Sequence, residues 1–144
     1  MKYSSKDFAK TTSKLKVQLP KKLVHKKVTK MKSHKNFSKE RKHPVHIVNL
    51  PSKTISMTIG GLEPAQTTNL HRHTYETIIY VLKGKGETTI EGKKVRWEAG
   101  DAIYVPVWAW HCHQNLSKTE SAEYIAVESA PLLQNLGVAL REES

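Results

Sequence analysis

Seven short runs of β-forming residues follow one another from Pro44 onward, and they constrain the fold of this chain more than any other feature. They read VHIVNL, TISMTIG, TIIYVLKG, GETTIEG, KKVRWEAGD, AIYVPV and AEYIAVES. Closely spaced runs rich in Val, Ile, Thr and Tyr specify an all-β sandwich or barrel, because each buries one face and needs a neighbour to cover it. Gly60-Gly61, Gly84-Lys85-Gly86, Glu91-Gly92 and Gly100-Asp101 punctuate the runs. These residues tolerate positive φ, so they predict tight reversals where strands end. Only the tail, PLLQNLGVALREES, predicts helix: one or two turns packed on the barrel and weakened by Gly137.

The residues before Pro44 have a different texture. Residues 1–43 hold 14 Lys and Arg41 against Asp7 and Glu40, a net of +13, whereas the whole chain carries +11. The remaining residues, 44–144, are therefore slightly acidic at −2, and the basicity belongs to an arm. With few large apolar side chains to bury, residues 1–43 are expected to form a solvated, partly disordered basic arm, docking at most one short element on a β-barrel domain over 44–144. The domain has no basic face, and no aromatic residues interleave with the lysines, so we expect no specific nucleic-acid partner. Cys112 is the only cysteine, which excludes an intramolecular disulfide and fits a reducing cytoplasm. No stretch approaches the ~20 apolar residues of a membrane-spanning helix, so no membrane partner is expected. A barrel of this size leaves open sheet edges and a modest core, which predicts a homodimer, with residues 39–50 as the segment that crosses to the neighbour.

Histidines carry the chemistry. His71 and His73 stand at i and i+2, a spacing that on a strand sends both imidazoles to one face, where they can offer two nitrogens to one metal. A second cluster, GDAIYVPVWAWHCHQN, runs over residues 100–115. Together the two stretches resemble the cupin superfamily, in its small single-domain type. Its first motif places HxH ahead of a Glu and a Gly, and its second reads G-x5-P-x-G-x2-H-x3-N. The second is matched at Gly100, Pro106, His111 and Asn115, with Trp108 in place of the middle Gly, and the first at His71, His73 and Gly84. The resemblance implies a double-stranded β-helix (jelly-roll) cupin barrel that holds one divalent transition metal through His71, His73 and His111. Where many cupins have a metal-binding Glu, this chain has Thr77, and Glu76 is one residue off. Alternation puts 71, 73 and 77 on one face and 76 on the other, so Glu76 reaches the metal only through a bulge.

The run from Pro106 to Asn115, together with HRHT at 71–74, is similar to gentisate 1,2-dioxygenase and related ring-cleaving cupins, which use three histidines and lack the motif Glu. That similarity implies a mononuclear Fe(II) dioxygenase acting on a small phenolic, enol or diketone-like molecule. Ni(II), Mn(II), Cu(II) and Zn(II) suit the same neutral ligand set. An isomerase or lyase working without dioxygen, and a non-catalytic small-molecule binder, are the alternatives. His113 shares the parity of His111 and should face the cavity as a catalytic base or hydrogen-bond donor, while Cys112 faces away. Trp97, Trp108 and Trp110 are read as barrel packing, Asn115 as a turn-holding residue, and His25, His34, His43 and His46 as arm or edge residues.

Overall fold

The computed structural model describes residue 17, residues 19–30 and residues 35–144. Residues 1–16, 18 and 31–34 of the expected arm lie outside the described residues, and His34 with them. What is described before Pro44 includes a 3-10 turn, Val28–Lys30, and a helix α1, Lys35–Arg41. Ser38 ties α1 to the first strand: its hydroxyl donates to the Val45 carbonyl (2.9 Å) and accepts from the Val45 amide (3.0 Å).

Ten strands follow. In chain order they are β1 (Val45–Ile47), β2 (Ser56–Leu62), β3 (His71–His73), β4 (Thr77–Lys83) and β5 (Lys85–Ile90). The others are β6 (Lys93–Glu98), β7 (Ala102–Val105), β8 (His111–Asn115), β9 (Ala122–Glu128) and β10 (Arg141–Glu143), with helix α2 (Ala130–Asn135) before the last. They form two five-stranded antiparallel sheets, ordered β1-β2-β9-β4-β7 and β10-β3-β8-β5-β6. This is the jelly-roll expected of the sequence, and alternation builds it. Along β4, Thr77, Ile79 and Val81 are buried while Ile78 and Tyr80 face out. Along β8, His111, His113 and Asn115 are buried and Cys112 and Gln114 are less so. A compact apolar cluster between the sheets includes Leu62, Val81, Trp97, Ile103 and Val105, and reaches Ile79 and Ala126 on the cavity wall.

The expected reversals divide into two kinds. Glu91-Gly92 joins β5 to β6 as a two-residue hairpin, with Ile90 opposite Lys93 and positive φ at both turn residues (47° and 77°), the twist-matched geometry for such a loop. Gly60-Gly61 is instead inside β2, so the reversal expected there does not exist. Its glycines answer a packing need, since a Cβ on Gly60 would lie 2.2 Å from the Tyr124 ring. Gly84, with φ 88°, passes the chain from one sheet to the other between β4 and β5 rather than closing a hairpin.

In the tail, α2 is the expected short helix. Gly137 at φ 74° ends it, the Gly137 and Val138 amides turning back to the Gln134 and Leu133 carbonyls. The chain then forms β10, a strand the sequence did not suggest, because REE carries no apolar alternation. β1 pairs with β2 of its own chain, so the middle of the segment proposed to cross to a neighbour is satisfied at home. No helix among the described residues is long and apolar enough to cross a membrane.

Candidate metal centre

Three histidines converge on one wall of a cavity of about 320 Å³ between the sheets. His71 and His73 come from β3 and His111 from β8, with His71 and His111 directly paired across the two strands. One ligand atom from each ring lies within 4.8 Å of the others. Each ring is oriented by a backbone carbonyl two residues away: Nδ1 of His71 is 2.8 Å from the Asn69 oxygen, that of His73 2.6 Å from the Tyr75 oxygen, and that of His111 2.8 Å from the Ala109 oxygen. A carbonyl can only accept, so Nδ1 carries the proton in all three and Nε2 keeps its lone pair. Burial, with smaller contributions from neighbouring charged groups, pushes His71 down to about 3 and His73 to about 4, and lowers His111 in the same direction. Three neutral imidazoles with lone pairs on one side are a donor set that suits a divalent transition metal.

The backbone around the ligands is held from both sides. Tyr75 stacks on His73 with ring centroids 4.0 Å apart and planes 4° from parallel. Trp108, at the position of the motif's middle glycine, keeps the left-handed conformation a glycine would adopt (φ 63°), and its amide donates to the His73 carbonyl at 2.8 Å. A bulky residue there is strained. Its ring and that of Trp110 both receive the Arg72 guanidinium, at 4.3 Å and 4.6 Å, and Arg72 is also paired with Glu142 of β10 at 2.7 Å. Trp97, by contrast, is a core residue.

Glu76 takes no part in the cluster. Its carboxylate accepts a 2.8 Å hydrogen bond from Tyr104 on an exposed surface, and Thr77 points inward in its place. His113 lines the same cavity beyond His111, and burial holds it well below the ordinary histidine value. Asn115 fixes the turn after β8, donating to the Leu62, Glu63 and Glu120 carbonyls and accepting from the Ser117 amide. Among the histidines read as arm or edge residues, His46 is buried on β1 against the Val28 carbonyl. His43 departs from that reading, because it too reaches the cavity.

Residues the motifs did not identify complete the walls. Arg41, the last residue of α1, and Arg141, the first of β10, both line the cavity, and among the described residues Glu128 is the only acidic one that does. Glu128 accepts from the Thr77 hydroxyl at 3.2 Å, and burial raises it above the ordinary carboxylate range. A signal for Glu128 existed in AEYIAVES, where period 2 puts a carboxylate on the face of Ala122 and Ala126. None existed for Arg41, which lies in a run of lysines.

Residues 59–128 match the family model described as the cupin domain. This stretch has the cupin fold. The cupin is similar to the 5-aminosalicylate 1,2-dioxygenase of a Comamonas species, at 35% identity over 85 residues, covering 59% of this chain and 22% of the relative. It is also similar to gentisate 1,2-dioxygenase 1 of Aquipseudomonas alcaligenes, at 30% over 87 residues, covering 54% and 25%. The chain thus spans about a quarter of the length of these curated relatives. Among solved structures it overlays on a salicylate 1,2-dioxygenase from Pseudaminobacter salicylatoxidans with a TM-score of 0.68 and 26% identity, covering 72% of this chain and 32% of that one. The cupin domain of Cnp3 from Schizosaccharomyces pombe shares the fold alone, at TM-score 0.58 and 13% identity, over 67% of this chain and 71% of that one.

Proposed function

We propose that this cupin is a mononuclear Fe(II) dioxygenase acting on a small hydroxylated aromatic acid, the phenolic member of the phenolic, enol and diketone-like class that the sequence suggests. The observation that carries the proposal is one cavity lined by both a three-histidine lone-pair set and two guanidinium groups, Arg41 and Arg141, with Glu128 the acidic residue described on its wall. His71, His73 and His111 hold the iron through Nε2. Bound there, iron would supply a redox-active Lewis acid able to take oxygen ligands. Arg41 and Arg141 attract the substrate carboxylate into a site of low dielectric, where a charged hydrogen bond is worth about 1.5–3 kcal/mol. Ile79 and Ala126 keep that part of the wall dry, and His113 contacts the bound ligand. The dioxygenase names of the relatives support the same reaction class.

Anaerobic Fe(II) loading followed by dioxygen-uptake measurements with gentisate, salicylate, 5-aminosalicylate, catechol and acetylacetone tests the reading. Uptake is expected with the carboxylate-bearing aromatics and weak or absent with catechol. Silence across the panel overturns it. We further propose that the protein is a cytoplasmic homodimer, since Ile78, Tyr80 and Tyr104 stand exposed together on the outer face of β4 and β7 and a second copy would cover them. Sedimentation at micromolar concentration showing only monomer would end that part.

A further inference from the structure

Next to the three convergent histidines the cavity holds His113, whose hydrogen bonding is the reverse of theirs. Nδ1 of His113 lies 2.8 Å from the hydroxyl oxygen of Thr88, and the Trp97 indole N–H donates to that same oxygen at 3.0 Å. Thr88 is completely buried and Trp97 nearly so. An indole N–H can only donate, so the Thr88 oxygen accepts from Trp97. The single hydroxyl proton of Thr88 then has one acceptor within reach, Nδ1 of His113, since among the described residues its side chain makes no other hydrogen bond. The opposite assignment, with Nδ1–H donating to Thr88, would leave that hydroxyl proton buried and unpaired, which native interiors avoid. Nδ1 of His113 is therefore the acceptor, and in the neutral ring the proton sits on Nε2.

The relay is built into the fold. Trp97 on β6 lies opposite Gly86 on β5, and a Cβ on Gly86 would fall 2.1 Å from the indole ring, so a glycine is what lets the indole settle beside Thr88. Thr88 in turn is registered directly against His113 of β8. The His113 amide is also fixed, donating to the Thr68 hydroxyl at 2.9 Å.

We propose that the Trp97–Thr88 relay locks His113 as the Nε2–H tautomer, so that it presents a hydrogen-bond donor to the cavity and is barred from joining His71, His73 and His111 as a fourth metal ligand. A ligand histidine needs a lone pair at the nitrogen facing the metal. Three carbonyls give that lone pair to the three ligand rings, and one hydroxyl denies it to His113. The centre is thereby kept at three protein ligands, with its remaining positions free for substrate, and an N–H beside them is suited to an anionic ligand oxygen. The role of that N–H towards a ligand oxygen rests on the proposed metal-and-substrate reading, whereas the tautomer does not.

Long-range proton–nitrogen correlation spectra of the full chain, labelled with 15N-histidine and recorded before and after one equivalent of Zn(II), test the proposal. His113 should show an unprotonated Nδ1 and a protonated Nε2 in both spectra. His71, His73 and His111 should show the mirror pattern, with their Nε2 signals moving on zinc addition. Thr88→Val should abolish the single-tautomer pattern of His113 and Thr88→Ser should preserve it. A protonated Nδ1 at His113 in the unsubstituted protein, a His113 Nε2 that moves to a zinc-bound position, or an unchanged pattern in Thr88→Val would each overturn the proposal. If Thr88→Val does not fold, the spectra of the unsubstituted protein alone decide. Zinc that moves none of His71, His73 and His111 would sink the metal reading and leave the His113 result standing.

Discussion

The two walls of the cavity are built on opposite plans. On the β3–β8 wall each ligand histidine is oriented by a carbonyl two residues away in its own chain segment, so the geometry is written locally. The rest of the cavity draws on distant segments: Thr77 meets Glu128 across 51 residues on the facing sheet, and the two guanidinium groups come from α1 and from β10, which pairs along the outer edge of β3. One wall is a preformed lone-pair array, and the rest is a charge environment assembled by the tertiary fold. Metal affinity should therefore depend on the first and substrate selection on the second.

The largest expected effect breaks the first wall alone. His71→Ala, His73→Ala or His111→Ala should each lower metal affinity by more than about 100-fold, beyond the roughly 10–100-fold that loss of an outer-shell partner costs. Glu76→Ala should leave metal content, read by elemental analysis, unchanged. Equal loss at Glu76 would show that the alternation of β4 misassigns the site. Next come Arg41→Met and Arg141→Met, each expected to raise KM for a carboxylate-bearing aromatic about tenfold or more with metal content intact. A fall in metal content in either would erase the division between the walls.

Titration of the metal-free protein sharpens the contrast, because the walls have opposite signs. His71 and His73 fall from an ordinary 6.5 to about 3 and about 4, so the unfolded chain takes up protons first as pH drops. Their contribution is intact above about pH 6.5 and is lost progressively towards pH 4 and below. Glu128 is raised above its ordinary 4.5, so its contribution is intact below that value and is lost as pH rises through its folded value. Thermal melts of the metal-free protein should thus weaken in acid, and Glu128→Gln should remove only the opposing loss. Acid-stabilised melts from pH 6.5 to 4 would contradict the histidine assignment.

The smallest expected effect concerns the support of the first wall. Trp108→Gly relieves left-handed strain of about 1–3 kcal/mol and gives up a cation–π contact worth about 0.5–1 kcal/mol, so its stability in denaturant melts should change by less than about 2 kcal/mol, towards stabilisation. A clear destabilisation would mean that the indole's grip on Arg72 dominates.

The same contrast explains what could be read in the sequence. Alternation within TIIYVLKG and HCHQN, and the turn chemistry of Glu91-Gly92, are short-range signals, and they gave the strands, the inward histidines and the outward Glu76. Gly60-Gly61 looked like a reversal because glycine's tolerance of turns is visible in sequence, whereas the Tyr124 ring that needs the space is 64 residues away. Arg41 and β10 were illegible for a related reason: a lysine-rich segment and the run REE carry no periodicity, and only the assembled barrel gives them a place.

That late strand has a practical consequence for anyone preparing the protein. β3 is three residues long and shares a single registered pair with β8, while β10 lies along its other edge, Arg141 opposite His73 and Glu143 opposite His71. Ser144 donates its amide to Leu70, the residue just before His71. An affinity tag or fluorescent fusion attached after Ser144 therefore begins beside the metal-binding strand, and a polyhistidine tail there would hang next to the cavity and could compete for the ion being measured. Metal stoichiometry is best taken from material tagged at the other terminus or from protein whose tag has been cleaved.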